Sequence, residues 1–320
     1  MKIVFRSIII IVIIIESMFI VSCNVSQQND QKKFAIVVHG GAGYNEVMID
    51  STKQKYLNSI AKALNIGKKI LEEGGTSLDA VESVVKFLED DPKFNAGKGA
   101  TYTSIGTHEL DASIMNGKDL SNGAVTLIKS VKNPISLARL VMEKSPHILL
   151  GGEGAEEFAK QMNVEIVPNN YFDSDDRPEK DKNIKNKKGT VGCVALDKLG
   201  DLAAATSTGG RLNKMPGRIG DSPLINAGTY ANNKTCAVSC TGIGELFITH
   251  TVAFNISALM EYKGLSLKEA ADQMINKTLK PGDGGLIAVD KDGNYITMFN
   301  TKGMCRGVAN SEGIFETKIW

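Results

Sequence analysis

The sequence predicts an α/β protein in which sheets pack together and are covered by helices. Short apolar runs, bounded by glycine, asparagine or aspartate, are typical of buried strands. Longer segments carry apolar residues at helical spacing. Strands and helices occur in groups along the chain, whereas a doubly wound fold alternates them one by one. At 320 residues the chain is long enough to bury one large core or two small ones.

The first half of the chain contains most of the predicted helices. We expect Ser77 to cap the second of them. The glycines of HGGAG predict a tight turn, because this segment has neither the G-x-S-x-G partner of a lipase oxyanion loop nor the G-x-G-x-x-G spacing of a dinucleotide loop. The predicted elements, in order, are a strand at 34–38, a turn at 39–43, helices at 53–72 and 78–90, a glycine-rich turn at 94–99, strands at 110–115 and 123–128, and helices at 134–143 and 155–162.

The second half reads mainly as strands. Two buried strands flank a hairpin-like turn at 197–201. The later elements are a strand at 235–240, helices at 246–262 and 267–277, and strands at 285–289 and 294–298 around a turn at 290–293.

A charged segment at 173–188, with Ile184 as its only aliphatic residue, separates the two halves. Such a segment is either a domain boundary or a processing loop inside one fold. Each half supplies incomplete sheet material, so we favour the second interpretation. The predicted parts are residues 24–189, which end in this linker, and residues 190–320, both in one fold.

The N-terminus has the features of a lipoprotein signal. Lys2 and Arg6 precede an apolar run at 8–15, and Ile-Val-Ser before Cys23 resembles a bacterial lipobox. This pattern predicts a signal peptide at 1–23, lipidation of Cys23 and an exported, membrane-anchored protein of the periplasm or cell envelope. An uncleaved membrane anchor is the alternative, although Glu16 interrupts the apolar run.

Composition argues against two classes of function. The net charge of +1 and the 6% aromatic content give no sign of a nucleic-acid surface. The four histidines lack the spacing of a metal site, which disfavours a metal-dependent hydrolase. The cysteines after the leader lie in apolar, strand-like contexts, so we expect buried free thiols at Cys193, Cys236, Cys240 and Cys305.

Thr190 is the candidate nucleophile, because it stands where the charged linker meets a buried strand. If the Gly189–Thr190 bond were cut, the new α-amino group could serve as the base for the threonine hydroxyl on the same residue. Gly189 has no side chain to block the geometry that such a cut requires. The simpler interpretation is that Thr190 only begins a strand.

Two further groups suggest a substrate site. Arg218 and Asp221 lie three residues apart in a loop rich in glycine and proline, and together they could hold the carboxylate and ammonium groups of an amino acid. The alternative is a surface ion pair. Thr241 and Gly242 could form an oxyanion hole from a hydroxyl and a backbone N–H. Their alternative is a strand-to-helix turn that needs glycine.

Several long motifs, in order, resemble those of the plant-type L-asparaginases, also called isoaspartyl peptidases, which are N-terminal nucleophile hydrolases. The similarity extends from about Phe34 to Arg306. The motifs are HGGAG, FNAGKGATYTSIGTHELDASIMNG, GTVGCVALDKLGDLAAATSTGG, NKMPGRIGDSPL, TGIGE and FNTKGM.

The resemblance implies an αββα sandwich, self-cleavage at Gly189–Thr190 and hydrolysis of L-asparagine and β-aspartyl dipeptides to L-aspartate, without an organic cofactor. It implies a homodimer of cleaved protomers and allows a structural sodium ion on backbone carbonyls of Leu88, Glu89, Phe94, Ala96 and Lys98. Its implied site residues are Thr190 as nucleophile, Thr208 beside it, Thr241 and Gly242 at the oxyanion hole, and Arg218, Asp221, Gly244 and Asn95 around the substrate.

Three related alternatives remain open. A glycosylasparaginase-like amidase shares the nucleophile, but Gly209-Gly210 and Asn213-Lys214 favour the asparaginase branch. A threonine aspartase is disfavoured because no long insertion precedes Thr190. A non-catalytic surface lipoprotein with the same fold would keep the Gly189–Thr190 bond intact.

Overall fold

The computed structural model describes residues 33–44, 48–174 and 189–320. The signal segment, Cys23 and most of the charged linker lie outside these ranges, so the structure does not test the predictions made for them. Within the described ranges, no helix is both long and apolar enough to span a bilayer. Residues 33–320 belong to one compact unit.

Twelve strands and seven α-helices make up the described part of the chain. The strands are β1 (Ala35–Ala42), β2 (Leu110–Asn116), β3 (Asn122–Ile128), β4 (Leu149–Gly151), β5 (Val191–Leu196), β6 (Leu202–Thr208), β7 (Thr229–Ala231), β8 (Cys236–Gly242), β9 (Gly284–Asp290), β10 (Tyr295–Phe299), β11 (Met304–Asn310) and β12 (Phe315–Lys318). The helices are α1 (Asp50–Glu72), α2 (Ser77–Asp90), α3 (Pro134–Lys144), α4 (Gly152–Gln161), α5 (Gly244–Thr249), α6 (Val252–Lys263) and α7 (Leu267–Asp272).

Two sheets form the middle of the molecule. The larger has eight strands in the order β12-β11-β1-β5-β6-β2-β3-β4, and the smaller has four in the order β10-β9-β8-β7. Every pair is antiparallel except β3 with β4. The larger sheet mixes strands from before and after the charged linker, because β1 lies between β11 and β5, and β2 lies beside β6.

The alternation of side chains along β1 shows the layering. Ile36 and Val38 belong to a core shared with α1, α2 and α3, whereas Ala35 and Val37 belong to a second core shared with the smaller sheet and with α6 and α7. Both faces of β1 are buried, so the strand is apolar at successive positions. The layers are therefore helix, sheet, sheet and helix, which confirms the predicted αββα sandwich.

The elements predicted from strong apolar patterns are present, and the differences have local causes. The Ser77 cap was wrong: Thr76 is the N-cap, and its side chain accepts a hydrogen bond from Asp79 N–H at 3.1 Å. The predicted turn at 39–43 is instead mostly strand, since β1 continues to Ala42 across a bulge. The predicted helix at 246–262 is two helices, with a break at Thr251, whose φ is +46°.

Other differences concern elements with weak sequence signals. The helix predicted at 267–277 ends in a π-helical turn at Gln273–Thr278. Strands β4, β7, β11 and β12 were not predicted, and two of them have three residues each. The four cysteines are free and buried, as expected: Cys193, Cys236, Cys240 and Cys305.

Candidate active site

Thr190 lies at the entrance to β5, opposite the end of β6. The pairing of Val191 with Ser207 places Thr190 beside Thr208, and their Oγ1 atoms are 3.0 Å apart. Thr208 Oγ1 also accepts a hydrogen bond from Gly210 N–H at 3.0 Å. The candidate nucleophile therefore contacts a second hydroxyl whose orientation is fixed by the following turn.

The carbonyl group of Gly189 is held by two loops. Its oxygen accepts a hydrogen bond from Asn95 N–H at 3.1 Å. On the other side, a Cβ atom at position 41 would lie 2.2 Å from Gly189 Cα, and Gly41 has a φ of +99°. Only glycine at position 41 permits both this backbone conformation and this close approach. The HGGAG segment thus packs directly against the candidate cleavage site.

Asn95 uses its side chain to join two loops. Its Oδ1 accepts a hydrogen bond from Thr101 N–H at 2.8 Å, and its Nδ2 donates to Gly210 O at 2.6 Å. The side chain predicted to bind substrate is therefore hydrogen-bonded to the protein at both ends of its amide. The backbone of Asn95 therefore holds the Gly189 carbonyl, and its side chain holds Gly210, which in turn supports Thr208.

Thr241 and Gly242, at the end of β8, are brought to the same region by the HGGAG segment. Thr241 Oγ1 accepts a hydrogen bond from Ala42 N–H at 3.3 Å, which leaves the hydroxyl proton for another acceptor. A Cβ atom at position 242 would lie 2.3 Å from Asp283 O, so no larger residue fits there. This geometry is compatible with an oxyanion hole.

Arg218 is positioned by Glu245, a partner that the sequence analysis did not identify. Its Nε and Nη2 atoms donate to the two carboxylate oxygens of Glu245, both at 3.0 Å. This bidentate pair fixes the plane of the guanidinium and leaves Nη1 for a further acceptor. The sequence contained a clue to this partner, because Glu245 is the last residue of the TGIGE motif, directly after Gly244.

Asp221 is a buried carboxylate with capacity for another ligand. It is 5% exposed, and its Oδ2 has no hydrogen-bond partner within the described ranges. Burial raises the pKa of Asp221 to about 7, although Arg218 acts in the opposite direction. In the described part of the chain no ion pair joins Asp221 to Arg218, so the two groups do not form the surface pair considered above.

Gly244 separates the two charged groups. A Cβ atom at this position would lie 2.7 Å from Asp221 Oδ1 and 3.0 Å from Arg218 Nη2. Only glycine therefore lets both charged side chains lie against the backbone at this position.

A second buried pair, missed at the sequence level, lies behind Thr208. Asp111 pairs with Thr208 across β2 and β6, and its Oδ2 is 4.0 Å from Lys214 Nζ. Lys214 Nζ also donates to Glu109 O at 2.7 Å. Burial raises the pKa of Asp111 and lowers that of Lys214, while their mutual attraction opposes both shifts. Asp111 lies in the ELDAS segment and Lys214 in the NK segment of motifs that the sequence analysis had already singled out.

The segment at 88–98 offers oxygen ligands from its backbone. Cβ atoms at Gly97 and Gly99 would lie 2.3 Å from Glu89 O and 1.8 Å from Phe94 O, so each of these carbonyls lies directly against a glycine. Carbonyl oxygens suit hard cations. Among the side chains of the described residues, no group of three or more His, Cys, Asp or Glu converges as a metal site.

Comparisons with known proteins agree with the motifs. A family model described as asparaginase matches residues 32–187 and 173–319. The isoaspartyl peptidase of Salmonella typhimurium is 47% identical over 295 residues, covering 86% of this chain and 94% of that protein. The probable isoaspartyl peptidase/L-asparaginase 2 of Arabidopsis thaliana is 45% identical over 322 residues, covering 90% and 99%. The human isoaspartyl peptidase/L-asparaginase is 44% identical over 282 residues, covering 84% and 91%.

We predict that Asp221→Asn stabilises the protein at alkaline pH. A raised pKa means that the folded state binds a proton that the unfolded state has released, so wild-type stability falls as pH rises from about 4 to about 7. The asparagine removes this cost, with a gain on the order of 1–4 kcal/mol at pH 8 and less at pH 5. Urea unfolding at both pH values, in chains kept uncut by Thr190→Ala, measures the difference in the free energy of unfolding. Equal effects at the two pH values would contradict the assignment, and Asp292→Asn, at an exposed turn, is the control.

Proposed function

The chain belongs to the asparaginase family, and on that basis we propose that it hydrolyses β-aspartyl dipeptides and L-asparagine with Thr190 as its nucleophile. The resemblance found in the motifs is confirmed by the family match and by relatives about 45% identical over most of the chain. The observation that carries the residue assignment is the contact of the Thr190 hydroxyl with Thr208, directly after the Gly189 carbonyl.

We infer that the enzyme first cuts itself. Thr190 Oγ1 attacks the carbonyl carbon of Gly189, and Asn95 N–H already donates to the oxygen on which negative charge develops. The peptide nitrogen leaves as the α-amino group of Thr190, and an ester joins Gly189 to the threonine oxygen. Water hydrolyses this ester, which releases the Gly189 carboxylate and the free hydroxyl.

In turnover, the new α-amino group takes the proton of Thr190 Oγ1 as the oxygen attacks the side-chain carbonyl of the substrate. Thr208, fixed by Gly210 N–H, orients the nucleophilic oxygen. Thr241 and Gly242 are proposed to stabilise the tetrahedral oxyanion. Ammonia leaves from asparagine, or an amino acid leaves from a dipeptide, and water then releases L-aspartate from the acyl-enzyme.

Substrate recognition is assigned to Arg218 and Asp221. The free Nη1 edge of Arg218 suits the α-carboxylate, and the unpartnered Oδ2 of Asp221 suits the α-ammonium. Burial raises the pKa of Asp221 in the free enzyme because its negative charge is poorly solvated. An incoming ammonium group compensates this charge. Below a pH of about 7 the protonated carboxyl loses this attraction, so we expect kcat/KM to fall on the acid side.

We also propose a structural sodium ion on the backbone carbonyls of the 88–98 segment. The family resemblance supports this assignment, and the Glu89 and Phe94 oxygens lie against Gly97 and Gly99 of the same segment. When bound, the ion would hold the loop that carries Asn95. Replacing sodium chloride by tetramethylammonium chloride should lower the melting temperature, and an unchanged value would exclude the ion.

The cellular setting and the assembly are proposals from the sequence. The lipobox-like segment supports export and anchoring through lipidated Cys23, and the family resemblance supports a homodimer of cleaved protomers. Recovery of the native protein in the cytosol after cell fractionation would rule out the first. A monomeric mass in light scattering of the cut enzyme, prepared without residues 1–23, would rule out the second.

Thr190→Ala should remain a single polypeptide and have no amidase activity, because the variant lacks the attacking oxygen. Thr190→Ser keeps that oxygen and should be cut and retain activity, which makes it the matched control. Intact mass after incubation at neutral pH measures the cut, and release of aspartate measures turnover. Fragments that meet anywhere other than Gly189 and Thr190, or an uncut active wild-type chain, would refute the assignment and favour the non-catalytic alternative.

Arg218→Ala should cut itself at the wild-type rate and bind substrate poorly. Loss of a hydrogen-bonded charge partner costs about 2–5 kcal/mol, so KM should rise roughly 30-fold or more. Arg218→Lys keeps the charge without the planar fork and should give an intermediate KM. Steady-state kinetics with asparagine and a β-aspartyl dipeptide test both variants. A wild-type KM in Arg218→Ala would show that the clamp is elsewhere.

A further inference from the structure

A line of polar side chains crosses the apolar interface between the two sheets. We call it the buried hydroxyl chain; it consists of His39, Ser113 and Thr206 on the larger sheet and Thr229 and Ser239 on the smaller. All five side chains belong to residues with 0% exposure. Buried polar groups have to be hydrogen-bonded to one another in such a place, and these are.

The strand registers create the line. His39 pairs with Gly192, Gly192 with Thr206, and Thr206 with Ser113, so these positions form one row across the larger sheet. Thr229 pairs with Ser239 in the facing sheet. The contacts zigzag between the sheets: His39 Nε2 to Ser239 Oγ at 3.1 Å, Ser239 to Thr206 at 2.6 Å, Thr206 to Thr229 at 2.7 Å and Thr229 to Ser113 at 2.8 Å.

Gly192 makes the first of these contacts sterically allowed. A Cβ atom at this position would lie 2.0 Å from Ser239 Oγ and 2.4 Å from His39 Nε2. The absence of a side chain at Gly192 allows His39 Nε2 to contact Ser239 Oγ. Any other residue two positions after the nucleophile would separate His39 from Ser239.

Both ends of the chain reach the active site. His39 Nδ1 lies 3.0 Å from the carbonyl oxygen of Thr190, the proposed nucleophile. At the other end, Ser113 Oγ lies 2.6 Å from the carbonyl oxygen of Ser222, the residue after Asp221 of the proposed clamp. The main chain of the nucleophile and that of the clamp are therefore joined through side chains that do not touch substrate.

The chain is one proton short when His39 is neutral. Six contacts join the two terminal carbonyl oxygens, and each needs one proton. Four hydroxyls and one neutral imidazole supply five protons. Burial lowers the pKa of His39 to about 3, so the imidazole is neutral at physiological pH.

The position of the missing proton depends on the histidine tautomer. With the proton on Nε2, the imidazole donates to Ser239 Oγ and Thr190 O loses its donor; Nδ1 then accepts a hydrogen bond from Gly41 N–H, at 3.3 Å. With the proton on Nδ1, Thr190 O is satisfied, and Ser113 can donate to Thr229 and Thr229 to Thr206, which moves the deficit to Ser222 O. The hydrogen bonds at the two ends therefore compete.

We propose that the buried hydroxyl chain positions the nucleophile and couples it to the substrate clamp, with His39 as the positioning residue at the Thr190 end. A change in the hydrogen bonding of Ser222 O, next to Asp221, alters the tautomer of His39 and hence the hold on the Thr190 carbonyl. The inference rests on the proposed function for the identity of the clamp and the nucleophile.

Thr206→Val breaks the chain in its middle with little change in shape, and Thr206→Ser retains the hydroxyl. We expect self-cleavage and kcat to fall at least 10-fold in Thr206→Val and to stay within about 2-fold of wild type in Thr206→Ser. Thr235→Val is the matched control, since it removes a buried hydroxyl that contacts Ser257 at 2.6 Å outside the chain. If Thr206→Val lowers the melting temperature as Thr235→Val does but leaves cleavage and kcat unchanged, the chain is only structural and the proposal fails.

The coupling itself is tested by 15N NMR of the imidazole of His39 in the cut enzyme, with the signal assigned by its loss in His39→Gln. Addition of L-aspartate, the product, should shift the ring nitrogens towards the other tautomer. The same addition to Thr229→Val, where the chain is interrupted near Ser222, should leave them unchanged. Aspartate that binds without altering His39 overturns the coupling alone, whereas failure of aspartate to bind counts against the proposed clamp.

Discussion

The register of four antiparallel strands, β1-β5-β6-β2, is the constraint on which the rest of the structure depends. It places Thr190 opposite Thr208, Asp111 behind Thr208, and His39 level with Thr206. A shift by one residue would turn every one of these side chains to the other face of the sheet. Each face packs into its own core, so the register is distinguished by the positions of the buried polar side chains and of the crowded Gly192 on these strands. The chemistry therefore relies on packing that extends far beyond the site.

The candidate active site lies beside buried carboxyl groups that this packing leaves incompletely hydrogen-bonded. Asp221 and Asp111 are fully or nearly buried, each with a carboxylate oxygen that has no hydrogen-bond partner within the described ranges, and burial raises both pKa values. Glu89 is in the same condition, with a pKa of about 8. Such groups reduce the stability of the folded state. At Asp221 the proposed binding of a substrate ammonium group would offset this cost.

The resemblance carried by several long motifs in order was sufficient for the family and for the αββα sandwich, while the roles of Arg218 and Asp221 stay predictions. Contacts between segments that are distant in the chain could not be predicted from these motifs. Glu245 is adjacent to Gly244 in the TGIGE motif, but its bidentate contact with Arg218 depends on how two loops fold together. The N-cap at Thr76 was missed because Thr76 and Ser77 are adjacent and serine is the more common N-cap residue. The short or exposed strands β4, β7 and β12 carry too few apolar residues to be distinguished from loops.

The mixing of strands from both sides of the cleavage site in the larger sheet affects how the cut protein unfolds and refolds. Once the chain is cut after Gly189, β1 of the first fragment still lies between β5 and β11 of the second, held by main-chain hydrogen bonds on both edges. Folding before the cut is an intramolecular search, whereas refolding afterwards requires two separate polypeptides to meet. The cut thus converts a reversible fold into an assembly whose persistence is governed by its rate of unfolding. An enzyme of this kind matures once and is not expected to be rebuilt after it has come apart.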